Sequence, residues 1–164
     1  MKTTQSYMTK RPVTIKYSET LQNAWKLMRE NSFRHLPVVD EKMSVIGILS
    51  DRDIQRAMTT KRLSSIAQES ELSPDLIVED YMNWPVYTVR EETPLKQVAA
   101  QMLTQKVSAF LVESCSGKLR GIVTTDDILR AFLNEETKTG DSLISNFSHY
   151  FLDPEITSNQ GPHN

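Results

Sequence analysis

Apolar residues recur at the spacing of an amphipathic helix in two separate parts of the chain. Each set occupies positions i, i+3, i+4 and i+7, which places its members on one face of a helix. Ser18 suits the N-cap of the first helix, and Thr93 followed by Pro94 marks the start of the second, because proline fits the first helical position. The two predicted faces are Leu21, Ala24, Trp25 and Met28, and Leu95, Val98, Ala99 and Met102.

Short apolar runs on either side of these helices predict strands. A Pro-Val pair opens an extended run before each helix, at 12–15 and 85–89. Two further runs follow each helix, and polar residues separate them at 40–42 and 114–118, which predicts a hairpin in each half. A second helix closes each half, near 52–58 and 126–133. The predicted fold is therefore α+β, built from two βαββα units; the hairpin strands are 36–39, 45–49, 109–112 and 119–123.

An internal repeat explains why the two halves show the same pattern. Tyr81-Met82 repeats Tyr7-Met8 at an offset of 74 residues, and further identities keep this offset without a gap. Such agreement indicates duplication, which decides the architecture of the whole chain. The other repeated pairs are Thr14 and Thr88, Leu21 and Leu95, Met28 and Met102, Gly47 and Gly121, Asp53 and Asp127, and Ile54 and Ile128.

The repeat predicts a domain organisation of two units and an extension. The first unit covers 1–58, a polar linker with some helix covers 59–73, and the second unit covers 74–134. Ser73-Pro74-Asp75 predicts the cap and start of a short helix that runs to Tyr81. For the extension, 135–164, we predict a short helix and a tail that is disordered after Pro154. Its apolar residues at helical spacing, which suit packing within the molecule or a dimer better than a partner surface, are Leu143, Phe147, Tyr150 and Phe151.

Composition narrows the possible partners and locations. The net charge is −2 and the pI about 5.9, so no basic surface for nucleic acid is expected. No apolar run approaches the ~20 residues that span a bilayer, and residues 1–7 are too polar for a signal peptide. The single cysteine, Cys115, excludes an intrachain disulfide and is interpreted as a small turn residue rather than a reactive thiol. These features indicate a cytoplasmic protein without membrane or nucleic-acid partners.

The sequence predicts neither a catalytic residue nor a metal site. His35, His149 and His163 do not have the spacing of metal ligands with another His, Cys or Glu. Neither a trustworthy Ser-His-Asp order nor a Walker loop is present. We therefore expect a protein that is not an enzyme.

One motif at a predicted strand-to-helix junction occurs in both halves. It reads GILSDRD at 47–53 and GIVTTDD at 121–127, with the form Gly-h-h-Ser/Thr-x-x-Asp, where h is apolar. A helix N-terminus and the hydroxyl of Ser50 or Thr124 suit a phosphate, and the carboxylate of Asp53 or Asp127 can accept hydrogen bonds from ribose hydroxyls. The alternative is a pair of capping boxes, which need no ligand.

These segments carry a family resemblance that covers roughly residues 5–133. MTKRPVTI, FRHLPVVD and VIGILSDRDI resemble the cystathionine-β-synthase (CBS) domain, and YMNWPVYTV, VSAFLVE and LRGIVTTDDIL are similar to a second copy. Copy two departs from the pattern at Leu111 and Ser114, where copy one has Pro37 and Asp40. The resemblance implies a Bateman module, in which two CBS domains form two clefts about a pseudo-twofold axis. Such clefts hold AMP, ADP, ATP, S-adenosylmethionine or related adenine compounds as regulatory ligands, with no obligatory cofactor.

The resemblance also implies which residues line the clefts. Arg34 could pair with a phosphate and His35 could donate a hydrogen bond, although Arg34 could equally be a solvated charge and His35 a satisfied strand-end residue. Copy two has the uncharged Ser108 and Ala109 at these positions, and Lys106 could compensate only if it points inward. The candidate ligand-binding residues are Thr14, Arg34, His35, Leu36, Pro37, Ser50, Asp53, Thr88, Ser108, Ala109, Thr124 and Asp127.

The leading interpretation is a regulatory sensor of an adenine-bearing small molecule. The alternative is a protein-protein assembly module, or a regulatory subunit whose clefts are vestigial and empty, with an unknown protein partner. We expect a homodimer that pairs through the apolar helices at 21–28 and 95–102. We also expect unequal clefts, in which the cleft reached by Arg34 and His35 prefers a phosphorylated ligand.

Overall fold

The computed structural model describes residues 2–62 and 72–139, which contain four helices and seven strands. Two short 3₁₀ helices lie at Thr4–Ser6 and Val78–Asp80. The helices are α1 (Leu21–Asn31), α2 (Asp51–Arg62), α3 (Leu95–Gln105) and α4 (Thr125–Thr139). The strands are β1 (Thr9–Lys10), β2 (Ile15–Lys16), β3 (His35–Val39), β4 (Val45–Ser50), β5 (Thr88–Arg90), β6 (Ala109–Glu113) and β7 (Leu119–Thr124).

The start of α1 differs from the predicted cap, and α3 begins one residue after the predicted first helical position. Ser18 lies in the turn after β2, and Thr20 caps α1 by accepting the N–H of Asn23 at 3.2 Å. Pro94 is the N-cap of α3 and so precedes its first helical residue, while Thr93 accepts the N–H of Arg90. The predicted cap Ser18 was wrong because the turn that follows β2 takes up this residue before α1 begins. The predicted start signal Thr93-Pro94 lies directly before α3.

The strands form one sheet for each copy of the repeat. In the first, β2 is parallel to β3 and β3 is antiparallel to β4. In the second, β5 is parallel to β6, β6 is antiparallel to β7, and β1 joins as the strand beyond β7. The predicted α+β fold of two βαββα units and its two hairpins are confirmed.

The two copies exchange their N-terminal segments. Residues 2–10 complete copy two: β1 pairs with β7, and the N–H of Leu95 donates to the carbonyl of Lys2 at 3.0 Å. Conversely, residues 72–83 complete copy one, where Val78 is fully buried and Asn83 bridges Ile48. The predicted unit boundaries at 1–58, 59–73, 74–134 and 135–164 remain predictions.

The segment before copy two is not the helix that the Ser73-Pro74-Asp75 pattern predicts. It forms a turn and then the 3₁₀ helix Val78–Asp80. The prediction was wrong because the N–H groups of Val78 and Glu79 donate to the carbonyls of Glu19 and Tyr17 on copy one. The middle of the predicted linker and the predicted helix and tail beyond 140 lie outside the described residues.

Each copy has its own apolar core, and a third cluster joins the two sheets. Leu36, Leu49 and Ile54 are fully buried in copy one, and Val98 and Val112 in copy two. Where the sheets meet, buried side chains of β6 and β7 pack against residues of β4 and the 83–87 segment. This joining cluster comprises Ala109, Leu111 and Ile122, with Val45, Ile48, Val86 and Leu119 around them. Within the described residues, no helix has the length and apolar character needed to cross a bilayer.

Candidate functional site

Two clefts open between the copies. In each cleft the motif of one copy faces residues of the other copy. Cleft one, of about 700 Å³, brings Ser50 and Asp53 of copy one against residues 83–87 and 106–109 of copy two. Cleft two, of about 370 Å³, brings Thr124 and Asp127 against residues 11–13 and 31–35. The repeat offset relates these sets to one another, so the clefts are equivalent by the internal symmetry but differ in size.

In cleft one, the carboxylate of Asp53 is held at the N-terminus of α2 and is only 6% exposed. Its Oδ2 accepts the N–H of Ser50 at 2.9 Å, the hydroxyl of Ser50 at 2.5 Å and the amide of Asn83 at 2.9 Å. The other oxygen, Oδ1, lies 3.8 Å from the guanidinium of Arg56. Asp53 therefore caps the helix and connects the opposite copy to it. Among the described residues, Oδ1 accepts no comparably close hydrogen bond.

Asp127 has the same place in cleft two, at the N-terminus of α4, and is 3% exposed. Its Oδ2 accepts the N–H of Thr124 at 2.8 Å and the hydroxyl of Thr124 at 2.9 Å. Its Oδ1 accepts a hydrogen bond of 2.9 Å from the guanidinium of Arg130, and the side chain of Arg130 is largely exposed. The capping contacts that the sequence offered as an alternative are thus present in both clefts, beside the buried carboxylates.

Arg34 and His35 connect the copies across the clefts. The guanidinium of Arg34 lies in cleft two and donates to both carboxylate oxygens of Asp126, at 2.8 and 2.7 Å. His35 lines both clefts, and its Nε2 is 2.9 Å from the hydroxyl of Ser108. Burial is the main cause that lowers the pKa of His35 below 6.5. The imidazole is therefore neutral at neutral pH.

The remaining predicted residues fall into three groups by position. Ser50, Asp53, Ser108 and Ala109 line cleft one, and Thr124 and Asp127 line cleft two. Leu36 is fully buried in the core of copy one, and Pro37 is buried in β3 opposite Ile48. Thr14 and Thr88 lie outside the lining of both clefts.

Most of the charged and aromatic residues that line the clefts were not predicted from the sequence. Arg56 and Arg130 occupy equivalent positions, each three residues after a motif aspartate, so the repeat itself was a signal for them. Lys106 does line cleft one, which means that copy two contributes a cation despite the uncharged Ser108 and Ala109. The other charged or aromatic lining residues that were missed are Arg52, Trp84 and Tyr87 in cleft one, and Arg11, Phe33 and Asp126 in cleft two. Asn83, which lines cleft one, was missed as well. Across residues 2–62 and 72–139, no group of three or more His, Cys, Asp or Glu could hold a metal ion.

Known proteins share this arrangement. The CBS domain family model matches residues 5–60 and 78–134. The CBS domain pair of protein MJ0100, solved with 5′-methylthioadenosine and S-adenosyl-L-methionine, has a TM-score of 0.71 and 26% identity, covering 82% of this chain and 98% of that one. CBSX2, a protein of Arabidopsis thaliana solved with AMP, has a TM-score of 0.67 and 28% identity, covering 83% and 99%.

A longer relative contains a similar region within an enzyme. The L-aspartate semialdehyde sulfurtransferase of Methanocaldococcus jannaschii is 28% identical over 125 residues, which are 76% of this chain. The match spans only 22% of that enzyme's length. Two matches to one domain family and the likeness to solved domain pairs agree with the duplicated fold and its two clefts. The chain belongs to the CBS domain family, as a tandem pair of CBS domains that together form a Bateman module.

Proposed function

We propose that this Bateman module is a regulatory sensor that binds an adenine-bearing nucleotide in the clefts between its two copies. The observation that carries the proposal is the pair of buried carboxylates, Asp53 and Asp127, at equivalent helix N-termini. Both carboxylates line cavities whose volumes, about 700 and about 370 Å³, fall in the range of small-molecule sites, about 300–1,000 Å³. A hydrogen-bond acceptor beside a helix N-terminus suits a ribose and its phosphate.

Asp53 shows how capping and ligand binding can coexist in one side chain. An ionised carboxylate has about four lone-pair sites, and the three hydrogen bonds from Ser50 and Asn83 all fall on Oδ2. Oδ1 keeps acceptor capacity for the ribose hydroxyls of a ligand. The capping contacts then hold the carboxylate in place before the ligand arrives, which reduces the entropy that binding must offset.

The solved relatives support an adenine-bearing ligand. The MJ0100 domain pair holds S-adenosyl-L-methionine and 5′-methylthioadenosine, and CBSX2 holds AMP. A ligand in either cleft of this chain would touch both copies, so binding would favour one relative arrangement of the copies over another. That change is the regulatory signal, and the proposed function requires neither catalysis nor an obligatory cofactor.

A thermal-shift panel of AMP, ATP, adenosine and S-adenosylmethionine tests this function. A ligand present at about a hundred times its Kd adds about 2.7 kcal/mol to the free energy of unfolding, so melting should shift clearly upward. Asp53→Asn should reduce the shift, and Glu92→Gln, which changes an exposed carboxylate outside both clefts, should not. If no adenine compound raises the melting temperature, the protein-protein assembly module with empty clefts replaces the sensor.

The wider setting of the module also remains a proposal. We propose a homodimer, an unidentified protein partner that receives the signal, and a cytoplasmic location. The surface expected to form the dimer needs correction, because Leu21, Ala24 and Met28 of α1 are buried in the core of their own copy. On α3 the predicted apolar positions Leu95 and Val98 are likewise buried. Among the described residues, three of the eight large exposed apolar side chains lie together on α4, namely Leu129, Phe132 and Leu133. On α3, Leu103 is 81% exposed.

A further inference from the structure

The two clefts differ in how their cationic side chains are paired. Arg34 of cleft two is engaged by both oxygens of Asp126. At the equivalent positions cleft one has Ser108 in place of Arg34 and Arg52 in place of Asp126. Where cleft two has an ion pair between Arg34 and Asp126, cleft one therefore has a hydroxyl group and one positive charge.

Other charges add to this difference. Cleft one is lined by the cations Arg52, Arg56 and Lys106 and by one carboxylate, Asp53. Within the described residues Arg52 and Lys106 form no ion pair. In cleft two, two carboxylates face three arginines. Arg34 pairs with Asp126 and Arg130 pairs with Asp127, so that among the described residues Arg11 is the arginine of this cleft without an ion pair. The lining charges are Arg11, Arg34, Arg130, Asp126 and Asp127.

Cleft one is also larger than cleft two and has more exposed aromatic surface. Cleft one has about 700 Å³ and cleft two about 370 Å³. Trp84 and Tyr87, 74% and 44% exposed, line cleft one and offer ring faces on which an adenine can stack. The equivalent residues of the first half are Lys10 and Val13, neither of which is aromatic.

We infer that cleft one is the phosphate-accepting site of this module, and that cleft two takes an adenine compound without a phosphate. The inference rests on the proposed function and assigns a ligand class to each cleft. A phosphate in cleft two would have to break two charged hydrogen bonds to Arg34 and would meet the carboxylate of Asp126, where cleft one has Arg52. In cleft one it would meet Arg52 and Lys106 without displacing an anion. This assignment is the reverse of the one expected from Arg34 and His35 in the sequence.

Titration calorimetry of the full chain with AMP and with adenosine tests the assignment. We expect AMP to bind at about one site per chain and to change the tryptophan emission, a change that Trp84→Phe abolishes because Trp84 lines cleft one. Arg52→Gln should weaken AMP binding about tenfold, which is the scale of one charged hydrogen bond. The affinity for adenosine should change by no more than about twofold. Lys118→Gln, an exposed cation in the β6–β7 turn, is the matched control and should change neither ligand.

Asp126→Asn provides the opposite change, because it frees Arg34 within cleft two. We expect a second AMP site to appear in this variant, while its melting curve stays close to that of the parent because the pair is half exposed. Two equal AMP sites in the parent protein, or an AMP affinity that ignores both Arg52→Gln and Asp126→Asn, would overturn the assignment while leaving adenine binding intact. Absence of binding by both AMP and adenosine would instead overturn the proposed function, and the assignment with it.

Discussion

Asp53 and Asp127 occupy equivalent positions, yet their third hydrogen bonds come from different places. Asp53 accepts from Asn83, which belongs to the segment that copy two contributes to copy one, whereas Asp127 accepts from Arg130 of its own helix. We expect Asp53→Ala to lower the free energy of unfolding by about 2–3 kcal/mol and Asp127→Ala by about 1–2 kcal/mol. Urea denaturation of both variants measures the difference, and equal losses would show that the Asn83 contact adds nothing.

His35 gives the protein a predicted dependence on pH. Burial lowers its pKa in the folded state below 6.5, with Arg34 lowering it further, while the carboxylates of Asp51, Asp126 and Asp53 oppose the shift. The unfolded chain therefore takes up a proton at a higher pH than the folded protein. The stability that the buried, neutral imidazole of His35 contributes is present above pH 6.5. It is lost as the pH falls through 6.5 towards the pKa of the folded state.

The measurement is urea denaturation at about pH 7.5 and about pH 5.5, on either side of the ordinary histidine pKa. The loss of stability on acidification should be smaller in His35→Gln, which cannot titrate in this range. Because the other histidines are unchanged, the difference between the two proteins isolates His35. An identical pH dependence in both would show that this imidazole is protonated equally in the folded and unfolded states.

Among the elements, β4 and β7 each carry a glycine against which a methionine of the exchanged segment packs. A Cβ at Gly47 would lie 2.5 Å from Sδ of Met82, and one at Gly121 would lie 2.6 Å from Sδ of Met8. At Gly121 the added atom would also lie 2.8 Å from the backbone oxygen of Thr9 on β1. A side chain can move away more readily than a paired strand.

We therefore expect Gly121→Ala to destabilise more than Gly47→Ala, both within the range of about 1–3 kcal/mol for overpacking. Chemical denaturation of the two variants provides the comparison. Adding Met82→Ala to Gly47→Ala should recover part of the loss, since it removes the side chain that the new methyl group meets. If the second change only adds to the first, the close approach to Met82 is not the cause.

For the whole molecule, the exposed apolar surface of α4 bears on the oligomeric state. Leu129, Phe132 and Leu133 lie at i, i+3 and i+4 and are 61%, 53% and 48% exposed. A set of exposed apolar residues on one helix is typical of an interface. We expect sedimentation at micromolar concentration to give twice the chain mass of 18.8 kDa.

A double change, Leu129→Glu with Phe132→Glu, should shift the protein to the mass of one chain. Met43→Glu alters an apolar side chain that is 62% exposed in the β3–β4 turn, and should leave the assembly unchanged. A parent protein that sediments as a single chain throughout the micromolar range would refute the dimer.

Much of the fold follows from the sequence alone, because its signals are local or repeated. The apolar face of α1 predicts which residues are buried, and Leu21, Ala24 and Met28 are indeed buried there. The offset of the repeat predicts that α3 and the second hairpin copy the first ones, which the bounds of these elements confirm. The motif at 47–53 predicts a strand-to-helix junction, and β4 passes directly into α2.

Only the tertiary structure decided which segments meet, because those contacts join residues far apart in the chain. The pairing of β1 with β7 and the burial of Val78 in copy one could not be read from local spacing, since both depend on the exchange between the copies. The same holds for the charges: the sequence shows Arg34, but only the fold brings Asp126 to it. A charge acts through its distance to other charges, so the character of each cleft was determined by the packing of one copy against the other.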